Sequence, residues 1–271
     1  MKFSTQRYML APSLALALVC TAGQVQAGGW HFDQGQWIDL SHAYDDKTIY
    51  WPTANGFSKT TDFEGHTDGG WYYTAYSVCT AEHGGTHLDA PIHFAEGMQT
   101  SDQLSLDRLI APAVVIDVTG QANENRDLLI TGADIANWEK TNGRIPAGSI
   151  VLFRTGFASR WPDAASYLGT AERGSDAVPK LHFPGLSADA AEYLVAYGAI
   201  AAIGIDTASI DYGQSADFIA HRILFAAGIP AFENVADMSA LPVTGALVVA
   251  LPMKIAGGSG GPLRIVAFVP E

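Results

Sequence analysis

Short apolar runs bounded by glycine or proline divide the chain and predict buried strands. The clearest are residues 114–118 and 150–154, which are rich in β-branched residues and too short for a buried helix. Similar runs predict further strands at residues 37–41, 73–80, 199–205, 246–252 and 263–269. The last two flank a glycine-rich turn, which predicts that they are neighbours in a sheet.

Three segments predict helices, at residues 131–142, 187–197 and 216–227. Thr131 and Ser187 can cap the first two, and Gly198 and Gly228 follow the last two. The predicted strands outnumber the helices and do not alternate strictly with them. This order favours an α+β (α/β-type) fold over a doubly wound sheet, with a mixed β-sheet or β-barrel-like core and peripheral helices.

The first 27 residues have the pattern of a secretory signal peptide. Lys2 and Arg7 give the positive start, residues 11–22 are mostly apolar, and residues 25–27 provide a small-residue cleavage pattern. The apolar run is too short for a spanning helix. The pattern predicts a secreted or periplasmic protein, and the alternative is an N-terminal anchor that is never cleaved.

Composition then limits what residues 28–271 can be. The length suits a single domain, and 48% hydrophobic with 16% charged residues is typical of a globular enzyme. After cleavage only Cys79 remains, so no internal disulfide is expected. The net charge of −13 becomes more negative when Lys2 and Arg7 leave, which makes nucleic acid and anionic membranes poor partners.

The candidate chemistry is concentrated in the run from His83 to Phe94. His83, His87, Asp89 and His93 follow one another there at spacings of four, two and four. Imidazole and carboxylate at this density suit a divalent metal ion with a proton-transfer residue beside it. The alternative is a buried polar turn whose histidines only satisfy backbone groups, which is a common role for one histidine but not for three beside an aspartate.

Local geometry requires the chain to reverse within this run. A helix would turn the aspartate and the last histidine away from the first two histidines, and the glycines and proline disfavour it. A strand would hold His83 about 13 Å from His87, at about 3.3 Å per residue. That is too far to share an ion whose nitrogen ligands lie about 2 Å away. Gly84-Gly85 therefore predicts a reversal, and Pro91 helps to aim His93 back.

Two later residues can complete a metal site. His221 lies in the third predicted helix, and Glu233 follows on a short predicted strand. Together they can form a second position with Asp89 bridging, because paired ions about 3.5–4 Å apart clamp and activate a water. The alternatives, a core histidine and a solvated strand end, stay open.

Aromatic residues provide a candidate substrate pocket. Trp51, Trp71 and Tyr73 can wall an aromatic ligand, and ordinary core packing is the alternative for each ring. The sequence contains no dinucleotide, phosphate-loop or haem-attachment motif, so no organic cofactor is expected.

A rival motif lies near the C-terminus. Residues 257–261 match the G-x-S-x-G pattern of a serine nucleophile elbow. That elbow should join a strand to a helix and precede an acid and a histidine, whereas here Pro262 and a strand-like run follow without any histidine. We interpret the match as a tight β-connection or a turn over a ligand.

The run HGGTHLDAPIHF resembles the H-x-G-T-H-x-D-x-P-x-H signature of the cyclase family of metal-dependent hydrolases. This family contains bacterial kynurenine formamidases and isatin hydrolases. The segments FRTGF, IDTASID and GGSGGPLR also resemble family landmarks, as does the spacing of twelve between His221 and Glu233. The resemblance extends from about Trp37 to the C-terminus and implies a swivelling β/β/α fold.

The same resemblance implies roles for individual residues. It implies two metal sites that share Asp89, the first completed by His83 and His87 and the second by His221 and Glu233. Proton transfer falls to His93, and substrate contact falls to Trp51. The expected cofactor is zinc or manganese, as one or two ions, and the expected assembly is a homo-oligomer, either a dimer or a tetramer.

The expected reaction is hydrolysis of a small aromatic amide by metal-bound hydroxide, with His93 passing a proton to the departing nitrogen. The candidate substrates are N-formylkynurenine-type arylformamides and the cyclic amide isatin. The leader, the greater length and residues 71–73 favour the isatin-hydrolase side. Two alternatives stay open: a lactone or ester hydrolase with a non-aromatic substrate, and a periplasmic metal-dependent binding protein without turnover.

Overall fold

A closed ring of β-strands forms the centre of the structure, a computed structural model that describes residues 30–271. The strands are β1 Gly35–Asp39, β2 Ser58–His66, β3 Tyr72–Cys79, β4 His87–Asp89, β5 Ile110–Asp117, β6 Leu129–Ile130, β7 Ile150–Arg154, β8 Gly185–Leu186, β9 Ala202–Ile205, β10 Ala231–Glu233, β11 Thr244–Pro252 and β12 Gly260–Pro270. The α-helices are α1 Leu106–Leu109, α2 Thr119–Glu124, α3 Gly132–Asn142, α4 Ala164–Leu168, α5 Ala188–Tyr197 and α6 Ile219–Ala226. Four 3₁₀ turns span Pro91–His93, Ser101–Gln103, Phe157–Arg160 and Ser175–Lys180. The predicted signal peptide lies outside the described residues.

The ring has the order β12-β11-β5-β7-β9-β10-β4 and closes because β4 also pairs with β12. The pairs β5–β7, β7–β9 and β9–β10 are parallel, and the remaining pairs of the ring are antiparallel. β1 adds to the outside of β12. The predicted mixed, barrel-like core with peripheral helices is therefore confirmed.

Alternation along the strands builds two apolar layers. Ile150 and Leu152 belong to one cluster of buried residues, whereas Val151 and Phe153 belong to a second, which also contains Leu194 of α5. Because neighbouring side chains on a strand point to opposite faces, the first cluster fills the ring and the second joins it to the helices. Each of these fully buried side chains stabilises the fold by about 1.5–3 kcal/mol.

The predicted helices form with small shifts at their ends. Thr131 accepts a hydrogen bond from the Asp134 amide at the start of α3, and Ser187 accepts one from Ala190 at the start of α5. Helix α6 begins later than the predicted residue 216, because Phe218 has a left-handed backbone with φ of 50°. Within residues 30–271, no helix has the length and apolar character needed to cross a membrane.

One hairpin departs from the sequence-based expectation. The predicted strand at 73–80 is β3, but its partner β2 was not predicted, and the pair stands apart from the ring as its own sheet. Most residues of both strands are exposed. The polar sequence SKTTDFEGH of β2 lacks the apolar alternation of a half-buried strand, so its pattern carried no strand signal.

Candidate metal centre

The cluster from His83 to His93 opens into a cavity of about 310 Å³. Strand β4 supplies His87 and Asp89, and the 3₁₀ turn after it supplies His93. Helix α6 contributes His221, and β10 contributes Glu233. All the candidate metal ligands and the candidate proton-transfer residue therefore line one cavity, namely His83, His87, Asp89, His93, His221 and Glu233.

The glycine pair produces the predicted reversal. Gly84 and Gly85 have φ values of +147° and +59°, which other residues rarely adopt. The space is also closed to a side chain, since a Cβ on Gly85 would lie 2.6 Å from the Tyr44 ring. The reversal returns His83 to Asp89, with 2.6 Å between His83 Nδ1 and Asp89 Oδ1.

Strand register places the acidic residue of β10 beside β4. Glu233 pairs with His87 across the antiparallel β10–β4 ladder. His87 Nε2 lies 3.1 Å from Asp89 Oδ1 and 3.5 Å from Glu233 Oε2. Asp89 is 1% exposed and Glu233 4%, so both carboxylates converge on one imidazole away from solvent.

His221 closes the other side of the cluster. Its Nε2 lies 3.1 Å from Glu233 Oε1 and 3.3 Å from Asp89 Oδ2. Its Nδ1 faces Asp211 Oδ2 at 2.6 Å. Asp211 also accepts the amides of Ala220 and His221, so this one carboxylate caps α6 and orients its histidine.

Charge interactions explain the protonation of the buried groups. Burial lowers the pKa of His87, but Asp89 and Glu233 outweigh it and raise the value to about 9. Burial opposes ionisation of Asp89, yet His83 and His87 hold the pKa of that carboxyl well below its usual range. Glu233 has its pKa raised by burial and by Asp89.

The pKa of His93 shifts in the opposite direction to those of His87 and His221. Burial lowers its pKa to about 4, Asp89 opposes this, and the neighbouring His83 and His221 add to the decrease. His93 is therefore neutral at pH 7 and able to accept a proton. Its ring stacks on His83, with 3.8 Å between centroids.

The donor set fits a divalent cation. His87 Nε2 is buried and forms no hydrogen bond, although Asp89 Oδ1 lies 3.1 Å away. Ligand atoms of His87, Asp89 and Glu233 lie within 4.8 Å of one another, as do those of His83, Asp89 and His93. Nitrogen and oxygen donors of this kind suit zinc and manganese alike, and the sharing of Asp89 allows one ion or two.

The predicted aromatic residues separate into two groups. Trp51 lines the cavity with Phe94 and Phe218, and its ring lies 5.9 Å from that of Phe218. Trp71 and Tyr73 are 64% and 50% exposed and do not line the cavity. They belong to the β2–β3 hairpin, which forms a separate sheet outside the ring. Within this chain, the structure therefore does not bring them to the site.

Sequence reasoning missed two kinds of contributor to the site. Asp211 lies in the IDTASID segment, but nothing in its spacing from His221 indicates that the loop folds back onto α6. Asn234 follows Glu233 and lines the cavity, and its side-chain amide donates to the Gly85 carbonyl. The G-x-S-x-G match joins β11 to β12, which confirms the interpretation as a β-connection.

Comparisons with known proteins agree with this geometry. Residues 38–212 match the family model Cyclase, described as "Putative cyclase". An isatin hydrolase from Roseibium aggregatum is 36% identical over 198 residues, covering 70% of this chain and 73% of the relative. A kynurenine formamidase from Salinibacter ruber is 29% identical over 244 residues, covering 84% of this chain and 95% of the relative.

Solved structures give the same grouping. The crystal structure of an isatin hydrolase bound to the product analogue thioisatinate superposes with a TM-score of 0.79 at 30% identity. The match covers 88% of this chain and 94% of that structure. The chain therefore belongs to the cyclase family of metal-dependent hydrolases.

Proposed function

We propose that the protein hydrolyses a compact, uncharged aryl amide of the isatin type. The observation that carries this proposal is the lining of the cavity. Apart from the metal-centre residues, its walls are mainly apolar and aromatic: Ile49, Tyr50, Trp51, Ala54, Phe94 and Phe218. A volume of about 310 Å³ is at the small end of ligand pockets, which favours a compact substrate.

The charges at the cavity favour isatin over N-formylkynurenine. Within residues 30–271, no lysine or arginine lines the cavity. An amino-acid carboxylate would enter it without a lysine or arginine partner, and an unpaired buried charged group costs more than about 1–3 kcal/mol. N-formylkynurenine remains the second candidate, because the formamidase from Salinibacter ruber aligns over 95% of its length.

The proposed roles follow from the family resemblance and from the shared cavity. His83, His87 and Asp89 would hold one divalent ion, and Asp89, His221 and Glu233 would hold a second where it is present. A bound divalent ion supplies Lewis-acid chemistry, since it polarises a carbonyl and lowers the pKa of water.

His93 moves the proton in this proposal. Water adds to the carbonyl carbon, the C–N bond breaks, and one proton must pass from the water to the departing nitrogen. His93 is neutral at pH 7, faces the same cavity and is held by the turn after Pro91. It accepts the proton from water and returns it to nitrogen.

A substrate panel tests the proposal. The rates of hydrolysis of isatin, N-formylkynurenine and a simple aryl ester would be measured with and without chelator. We expect chelator-sensitive opening of isatin, with kcat/KM at least about tenfold above that for N-formylkynurenine. Faster turnover of N-formylkynurenine would overturn the isatin preference. Cleavage of the ester alone would favour an ester hydrolase, and tight binding without turnover would favour a binding protein.

A further inference from the structure

The turn between β11 and β12 contacts the back of the metal centre. Ser259 Oγ lies 2.8 Å from His83 Nε2, and Glu82 Oε2 lies 2.6 Å from the same hydroxyl. We propose that Glu82 and Ser259 are positioning residues, which fix the tautomer and the orientation of His83 as a metal ligand. This inference rests on the metal-dependent activity proposed above.

A count of hydrogens shows which group donates and which accepts in the hydrogen bonds that link His83, Ser259 and Glu82. A carboxylate only accepts, so Glu82 takes the single hydroxyl hydrogen of Ser259. The Ser259 oxygen must then accept from His83, which places the ring hydrogen on Nε2. In the neutral ring, Nδ1 is left with a free lone pair, 2.6 Å from Asp89 Oδ1. Two lone pairs at that distance repel unless a cation lies between them. That cation is either a proton or a divalent metal ion, and a metal ion that binds here takes the place of the proton.

The turn is built to hold Ser259 at this distance. The Ser259 amide donates to Glu82 at 2.9 Å, and its carbonyl accepts from the Ala90 amide at 2.8 Å. Glycine on both sides permits the approach. A Cβ on Gly258 would lie 3.0 Å from Glu82 Oε1, and one on Gly260 would lie 2.7 Å from His83 Cε1.

The same contacts argue against a serine nucleophile. Asp89, His83 and Ser259 are linked in the order of a catalytic triad, but the Ser259 hydroxyl hydrogen is given to Glu82. Ser259 also does not line the cavity, whereas a nucleophile must reach the substrate. The hydroxyl therefore serves the imidazole.

Metal affinity measures this role without any substrate. The dissociation constants for Mn²⁺ and Zn²⁺ would be measured by competition with a chromophoric chelator for the wild type, Ser259→Ala and Glu82→Gln. We expect both variants to bind about 10–100-fold more weakly, as is typical when an outer hydrogen-bond partner of a ligand is lost. Wild-type affinity in Ser259→Ala would overturn the proposal.

Ser101→Ala is the matched control. Its hydroxyl donates to the Ile255 carbonyl at 3.1 Å on the same turn, so the variant loosens the turn without touching His83. We expect wild-type metal affinity in this control, and an equal loss in Ser101→Ala and Ser259→Ala would refute a specific role for Ser259. In the Zn²⁺-loaded wild type, ¹⁵N NMR should find the His83 hydrogen on Nε2, and finding it on Nδ1 would contradict the proposal. Both readouts stand if isatin proves not to be the substrate.

Discussion

Replacing His93 by alanine should separate proton transfer from metal binding. Within the described residues, His83, His87 and His221 each approach a carboxylate of the cluster within 4.0 Å, whereas His93 forms no such pair. Because the pKa of His93 is about 4, the neutral form of its imidazole outnumbers the protonated form by about a thousandfold at pH 7. The ring therefore lies at the site in its neutral form, which is the form that can accept a proton.

The expected loss can be stated in free energy. A positioned acid–base group contributes about 10²–10⁴-fold, so His93→Ala should lower kcat by that factor, or by about 2.7–5.4 kcal/mol in activation free energy. Metal affinity should stay near the wild-type value, because no carboxylate contact is lost.

Two assays decide the matter together. Steady-state kinetics on isatin would give kcat, and mass spectrometry after gel filtration would give bound metal per chain. His83→Ala serves as the comparison, since loss of a proposed ligand should empty the site. The reasoning would be refuted if His93→Ala lost its metal like His83→Ala, because His93 would then be a ligand with the His83–Asp89 pair.

Further predictions concern the shared carboxylate, the aromatic wall and pH. Asp89→Asn removes the carboxylate common to both ligand groups and should lose metal to chelator at concentrations that leave the wild type loaded, as measured by metal content. Trp51→Ala should raise KM for isatin by about tenfold with kcat nearly unchanged, whereas Trp71→Ala should change neither value. His42 stacks on Trp161 at 4.1 Å, its Nε2 is buried without a partner, and burial lowers its pKa to about 4. As pH drops, His42 becomes protonated in the unfolded chain near its ordinary pKa of about 6.5, but in the folded chain only near pH 4. The free energy of unfolding should therefore fall as pH drops from about 6.5 to about 4. After discounting for partial exposure, this loss amounts to about 1–2 kcal/mol. Chemical denaturation at several pH values should show the loss in the wild type and not in His42→Phe.

The metal centre could be predicted where its chemistry is local. Residues 83–93 carry three histidines and an aspartate within one short run, and Gly84-Gly85 indicates the reversal that the backbone shows. Asp211 could not be found in this way. Its contact with His221 depends on how the loop before α6 packs, which is a tertiary property without a fixed sequence spacing.

The outer strands show a different limit. The core strands at residues 150–154 and 246–252 are mostly buried and therefore carry a strong apolar signal. Strand β2 is exposed and polar, so no pattern marks it. The neighbouring strand β3 is also exposed, although it is rich in aromatic residues. The aromatic character of Trp71 and Tyr73 alone therefore could not indicate whether these rings face the cavity or solvent.

Reconstitution of the metal-stripped protein tests the central claim most directly. The rate of isatin ring opening would be followed while Mn²⁺ or Zn²⁺ is titrated into the stripped protein. We expect no turnover without metal and a rate that rises in proportion to bound ion, reaching its plateau at one or two ions per chain. Full isatin turnover by the stripped protein would contradict the account.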